Sequence, residues 1–133
     1  MNSLSILFRS NQFNLSKVGQ HFINPCCFGE DLAGWLRQEL PSTGIEASTP
    51  YQEDWGWELP VRLGADSYHL CMSGNADCQG SDVGEWRIIV QKRQSLWDRL
   101  MGRGRITADD PVLKLLEGIL SKQANVEDVH LEV

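Results

Sequence analysis

The sequence predicts an α+β fold, a two-layer sandwich with two helices on one face of a mainly antiparallel sheet. Three observations carry this expectation. Two segments repeat apolar residues at helical spacing, and five others alternate apolar with polar residues at strand spacing. The connections between the strand patterns are short, as an antiparallel meander with one buried face requires. A helix stripe and a sheet face each need cover, and each supplies it to the other. The chain has 133 residues, 41% apolar and 23% charged. That suits one domain over residues 25–133 and excludes a disordered chain.

Residues 1–24 are rich in Asn, Ser and Gln, with apolar runs at Ile6-Leu7-Phe8 and Phe13-Asn14-Leu15. They read as an edge hairpin or a docked N-terminal arm. The first helix follows. Asn24-Pro25 suits a cap with proline at the first helical position. Glu30 and Asp31 favour the early turns, and Phe28, Leu32, Trp35, Leu36 and Leu40 form one stripe. Pro41 and Gly44 end it.

Ile45–Thr49 alternates weakly. Trp55, Trp57, Leu59, Val61 and Leu63 alternate strongly with polar or small neighbours, and Tyr68, Leu70 and Met72 answer them across Gly64-Ala65-Asp66. Pro60 lacks a ladder donor and implies an edge or a bulge. A polar loop, Ser73–Gly84, leads to a strand carrying Trp86, Ile88 and Val90. Ser95–Arg105 holds at most a turn of amphipathic helix. Asp110-Pro111 starts the second main helix, with Val112, Leu115, Leu116, Ile119 and Leu120 as its stripe. Val129, Leu131 and Val133 make a last strand.

The net charge of −6 excludes bulk attraction to nucleic acid. It is unevenly spread, however. Arg87–Arg105 carries six bases and one acid, a net +5, leaving −11 on the rest. This segment is either an anion- or partner-binding patch or a solvated basic loop. No run is long and apolar enough for a membrane span. The first nine residues lack the regions of a signal peptide, so a cytoplasmic protein is expected. Cys26, Cys27, Cys71 and Cys78 read as thiols rather than a disulfide or zinc framework. The calcium-loop, dinucleotide, P-loop, zincin and nucleophile-elbow motifs are missing, so no cofactor, metal or catalytic residue is assigned.

Two features remain as candidate sites. Glu53-Asp54-Trp55-Gly56-Trp57-Glu58 sets acids around two tryptophans at strand spacing. It reads as an aromatic, acid-lined surface for a cation, a sugar or a partner's arginine, or as a loop entering a strand with Trp57 in the core. Gly56 leaves room for something to approach its backbone. The second is the far face of the sheet, where Glu58, Arg62, His69, Cys71, Arg87 and His130 fall together. It reads as an anion or acid–base site, or as solvated cross-strand pairs. His69 and Cys71 lie about 6–7 Å apart along one strand, too far for direct activation of the thiol.

Asn24–Leu32 followed by Glu53-Asp54-Trp55-Gly56-Trp57 resembles a group of small, uncharacterised bacterial proteins, in which such an element enters a strand after an amphipathic helix. The resemblance spans roughly residues 22–131, implies no activity and transfers no site residue. In size and charge the chain is also similar to proteins of mobile gene cassettes and to toxin-immunity proteins. The expected function is a non-enzymatic binding protein, immunity- or adaptor-like, whose acidic charge captures a basic protein partner through complementary fields. The alternative is a small-molecule enzyme or sensor on the polar sheet face. A homodimer is expected, with Trp55, Trp97 or Ile6–Phe8 in the contact.

Overall fold

The computed structural model describes residues 2–10, 29–53, 56–74 and 84–132. In chain order they form β1 (Ser3–Ser10), α1 (Glu30–Glu39) with a 3-10 turn at Leu40–Thr43, β2 (Glu46–Ala47), β3 (Tyr51–Glu53), β4 (Gly56–Leu63), β5 (Asp66–Gly74), β6 (Gly84–Lys92), α2 (Leu96–Leu100), α3 (Pro111–Ser121) and β7 (Val126–Glu132). The strands build one sheet in the order β2-β4-β5-β6-β1-β7, with β3 also on β4, and every pairing is antiparallel. The class is α+β, as the periodicities predict.

The register aligns one set of alternate residues across the strands. Trp57 faces Met72, which faces Ile88, which faces Ile6. Leu59 faces Leu70, which faces Val90. These residues are buried in a single cluster with Leu32 and Leu36 of α1 and Val112, Leu113, Leu116 and Leu120 of α3. Trp57 and Trp86 belong to the same alternation, and both are buried. Trp35 and Ile119, expected in the core, are partly buried at its margin.

Four expectations change. Residues 3–10 are neither an arm nor an edge hairpin. β1 is bonded on both sides, to β6 and β7, with Ile6 and Phe8 fully buried. Its apolar alternation is that of an interior strand, which a composition rich in Asn and Ser disguises; residues 11–24 lie outside the described residues. Second, α1 begins at Glu30. Gly29 precedes it at φ 136°, packed so closely under β5 that a Cβ would sit 3.3 Å from the Met72 carbonyl oxygen. The expected start at Asn24-Pro25 falls outside the described residues.

Third, Ile45–Thr49 is not one strand; the edge along β4 is broken into β2 and β3. Fourth, Pro60 lies one strand in from that edge. Ser48 N–H donates to its carbonyl at 2.9 Å. A residue's N–H and C=O point the same way across an antiparallel ladder. The Pro60 nitrogen therefore faces the break at residues 48–50, where no donor is needed.

One polar knot fixes α3 to the sheet. Asp110 caps it by accepting from Val112 N–H at 2.9 Å, and also accepts from Tyr68 OH at 3.1 Å and Lys92 Nζ at 3.3 Å. Burial, with the Asp110 charge and hydrogen bond, pushes the Tyr68 phenol well above its ordinary pKa. No helix among the described residues is long and apolar enough to cross a membrane.

Candidate functional site

The outward alternation of β4 and β5 carries a compact cluster around Glu58. Tyr51 of β3, Glu58 and Cys71 stand directly opposite one another, with His69 one step along β5. Glu58 is only 7% exposed, and Cys71 6%. A carboxylate this secluded needs donors. Cys71 Sγ donates to Glu58 Oε1 at 3.4 Å, and His69 Nδ1 lies 3.3 Å from the same oxygen. Tyr51 donates to Glu58 as well. That hydrogen bond, with burial and the charges of Glu58 and Glu53, pushes the phenol up to about 12. The thiol and the imidazole, too far apart for direct contact by strand geometry, thus meet on one carboxylate oxygen.

The other expected site residues do not join them. Arg62 pairs with Glu46 at 3.0 Å and Arg87 with Glu132 at 3.1 Å, both in exposed cross-strand pairs. Such pairs contribute about 0–1 kcal/mol. Glu53 stands at the sheet edge opposite Gly56. What approaches Gly56 is the sheet itself: at φ 153°, an added Cβ would overlap the Met72 carbonyl oxygen. Asp54 and Trp55 lie outside the described residues. His130 Nδ1 sits 2.6 Å from Asp128 O. Among the described residues no group of three or more His, Cys, Asp and Glu is placed to hold a metal ion.

A second region matters more. Leu96, Trp97, Leu100 and Met101, on and just after α2, are 72%, 62%, 72% and 56% exposed. Most other large apolar side chains of the described residues are buried or packed against the core. The segment is capped by Ser95, whose Oγ accepts from Asp98 N–H at 3.0 Å, and Arg93, Arg99, Arg103 and Arg105 lie within it or close beside it in sequence. Between it and the end of β6 lies a cleft of about 910 Å³, bordered by Lys92, Arg93, Arg99 and Arg105, with His69 on its sheet side. The basic run is plain in the sequence. The exposure of its apolar quartet is not, although a quartet ending in Gly102-Arg103-Gly104-Arg105 is too short to span a core.

The chain matches no family model, no curated protein and no solved structure. Any functional reading therefore rests on these two regions. Of the expected dimer contacts, Ile6 and Phe8 are interior and unavailable, Trp55 is outside the described residues, and Trp97 is exposed.

Proposed function

We propose that this protein is a non-enzymatic binding module that docks an acidic protein partner through α2 and the residues around it. The fold we infer for that role is the two-layer sandwich, with α1 and α3 covering one sheet face and α2 projecting from the end of β6. One observation carries the reading: four adjacent large apolar side chains stand exposed inside the only strongly basic stretch of an acidic chain. Trp and Arg are the residue types that dominate binding energy at interfaces. The arginines that neighbour these side chains in sequence favour an apolar groove with an acidic rim.

A second copy of the chain fits less well. A two-fold contact through α2 would set arginines against arginines, because such an interface is self-complementary. An anionic membrane fits less well too, since a five-residue helix offers little apolar length to lie along an interface. The adaptor- or immunity-like role agrees with the small size, but the contact carries the charge opposite to the chain's own.

The test is site-specific photo-crosslinking from position 97 in the source cell, with position 127 on β7 as control, followed by binding of the purified cross-linked protein. The expected outcome is one acidic protein trapped from 97 alone. Its affinity should fall about 30-fold or more on Trp97→Ala and weaken with salt. Cross-linking to the chain itself, with a doubled mass in light scattering, would overturn the reading in favour of a dimer. Equal trapping from both positions, or binding to phosphatidylserine vesicles lost with Trp97→Ala, would also overturn it.

A further inference from the structure

We infer that the cleft between β6 and α2 is a binding site for a small phosphorylated ligand, a nucleotide or a compound with an equivalent pair of phosphate charges. This goes beyond the docking role: it shares Arg93, Arg99 and Arg105 with that surface but not the apolar side chains of α2. The cleft holds about 910 Å³, within the range of small-molecule sites.

Its cations are available. Lys92 is engaged with Asp110 and Asp66. Among the described residues Arg93, Arg99 and Arg105 have no acid within ion-pair distance. Guanidinium groups suit phosphate because they present planar, paired donors. The one acid of the segment, Asp98, does not line the cleft. Gln91, Gln94 and His69 add polar groups, and Glu58 engages His69 through Nδ1.

The walls are also held in place. Asn2 Nδ2 donates to Lys92 O and Gly104 O, both at 3.0 Å, and Ile106 N–H donates to Asn2 Oδ1 at 2.8 Å. Gln94 Nε2 donates to Arg103 O at 2.7 Å. One asparagine from the start of β1 thus ties the arginine loop to the sheet. A site that does not have to be ordered on binding loses less entropy to its ligand. A nucleic-acid strand is disfavoured, because beyond the cleft it would meet the rest of the chain, which carries a net charge of −11.

Calorimetric titration with inorganic pyrophosphate, adenosine triphosphate and a short single-stranded RNA, against sodium sulfate at equal ionic strength, tests the assignment. The expected result is saturable binding of pyrophosphate or the nucleotide at or below about 1 mM. Arg99→Ala and Arg105→Ala should each weaken it about tenfold or more. Arg103→Ala, outside the cleft, should change it by about twofold at most, and Trp97→Ala should leave it intact. That last variant separates this site from the docking surface, since it removes partner binding alone. Binding no better than sulfate, an equal loss with Arg103→Ala, or tighter binding of RNA through the same arginines would overturn the inference.

Discussion

α2 and α3 follow one another in the chain, and both carry large apolar residues, yet one is buried and the other is not. α3 is eleven residues long and buries Val112, Leu113, Leu116 and Leu120. Its start is locked by Asp110, which also holds Tyr68 and Lys92 of the sheet. α2 is five residues long and buries none. Loop hydrogen bonds from Asn2 and Gln94 hold its neighbourhood instead. The difference is one of anchoring. A helix several turns long can lay a stripe across a sheet, whereas a single turn can only present its side chains. Apolar residues that contribute nothing to the core are available for a partner.

The largest effect expected from this contrast is in stability. Leu116→Ala should lower the unfolding free energy by about 3 kcal/mol through lost burial and a cavity. Leu100→Ala should change it by less than about 0.5 kcal/mol. Urea denaturation of both variants checks this, and comparable losses would mean that α2 packs after all.

The caps give the next largest difference. Asp110→Ala should cost about 2 kcal/mol, because it removes a cap and leaves Tyr68 and Lys92 without their buried acceptor. Ser95→Ala should leave the global stability nearly unchanged and speed amide exchange only within α2, as hydrogen exchange would show.

Anchoring through the loop should be visible to a protease. Asn2→Ala should make limited trypsin cleavage at Arg99, Arg103 and Arg105 about tenfold faster, with little change at Lys114 in α3. Equal acceleration at both places would point to global loosening and not to release of the loop.

The smallest effect lies on the Glu58 cluster. The Tyr51 phenol should titrate near 12, and Glu58→Gln should return it toward 10.0, read by ultraviolet absorbance or NMR. A phenol whose pKa is raised on folding stabilises the fold below its unfolded value. That contribution is lost as the pH climbs from 10.0 through about 12. Tyr51→Phe should therefore flatten the stability profile in that window and lower the stability slightly at neutral pH, where the donor to Glu58 is lost. An unchanged profile would mean that the cluster does not couple to folding.

Much of the fold was legible. The stripes of α1 and α3 and the alternations of β4, β5 and β6 reappear with most of their described apolar residues buried and Trp35, Leu63, Leu115 and Ile119 partly so, because 3.6- and 2-residue periods are local properties. The sheet order was not. Placing β1 between β6 and β7 depends on pairings across most of the chain length, and nothing local in Ser3–Ser10 records them. Of the candidate site, Glu58 and His69 came together because strand neighbours share a face. Arg62 and Arg87 on the same face were drawn off by Glu46 and Glu132, partners chosen by register.

Local chemistry was enough to specify which segments are helix or strand, which side of each is apolar, and that Arg87–Arg105 is basic. Folding in three dimensions decided how those sides are used. Whether an apolar side chain is buried depends on what surface lies above it, and the core is covered by α1 and α3, not by α2. Whether four cations line a cleft depends on an asparagine a hundred residues away in sequence that ties their loop to β6. Burial and convergence are properties of pairs of distant segments, and a pattern within one segment cannot encode them.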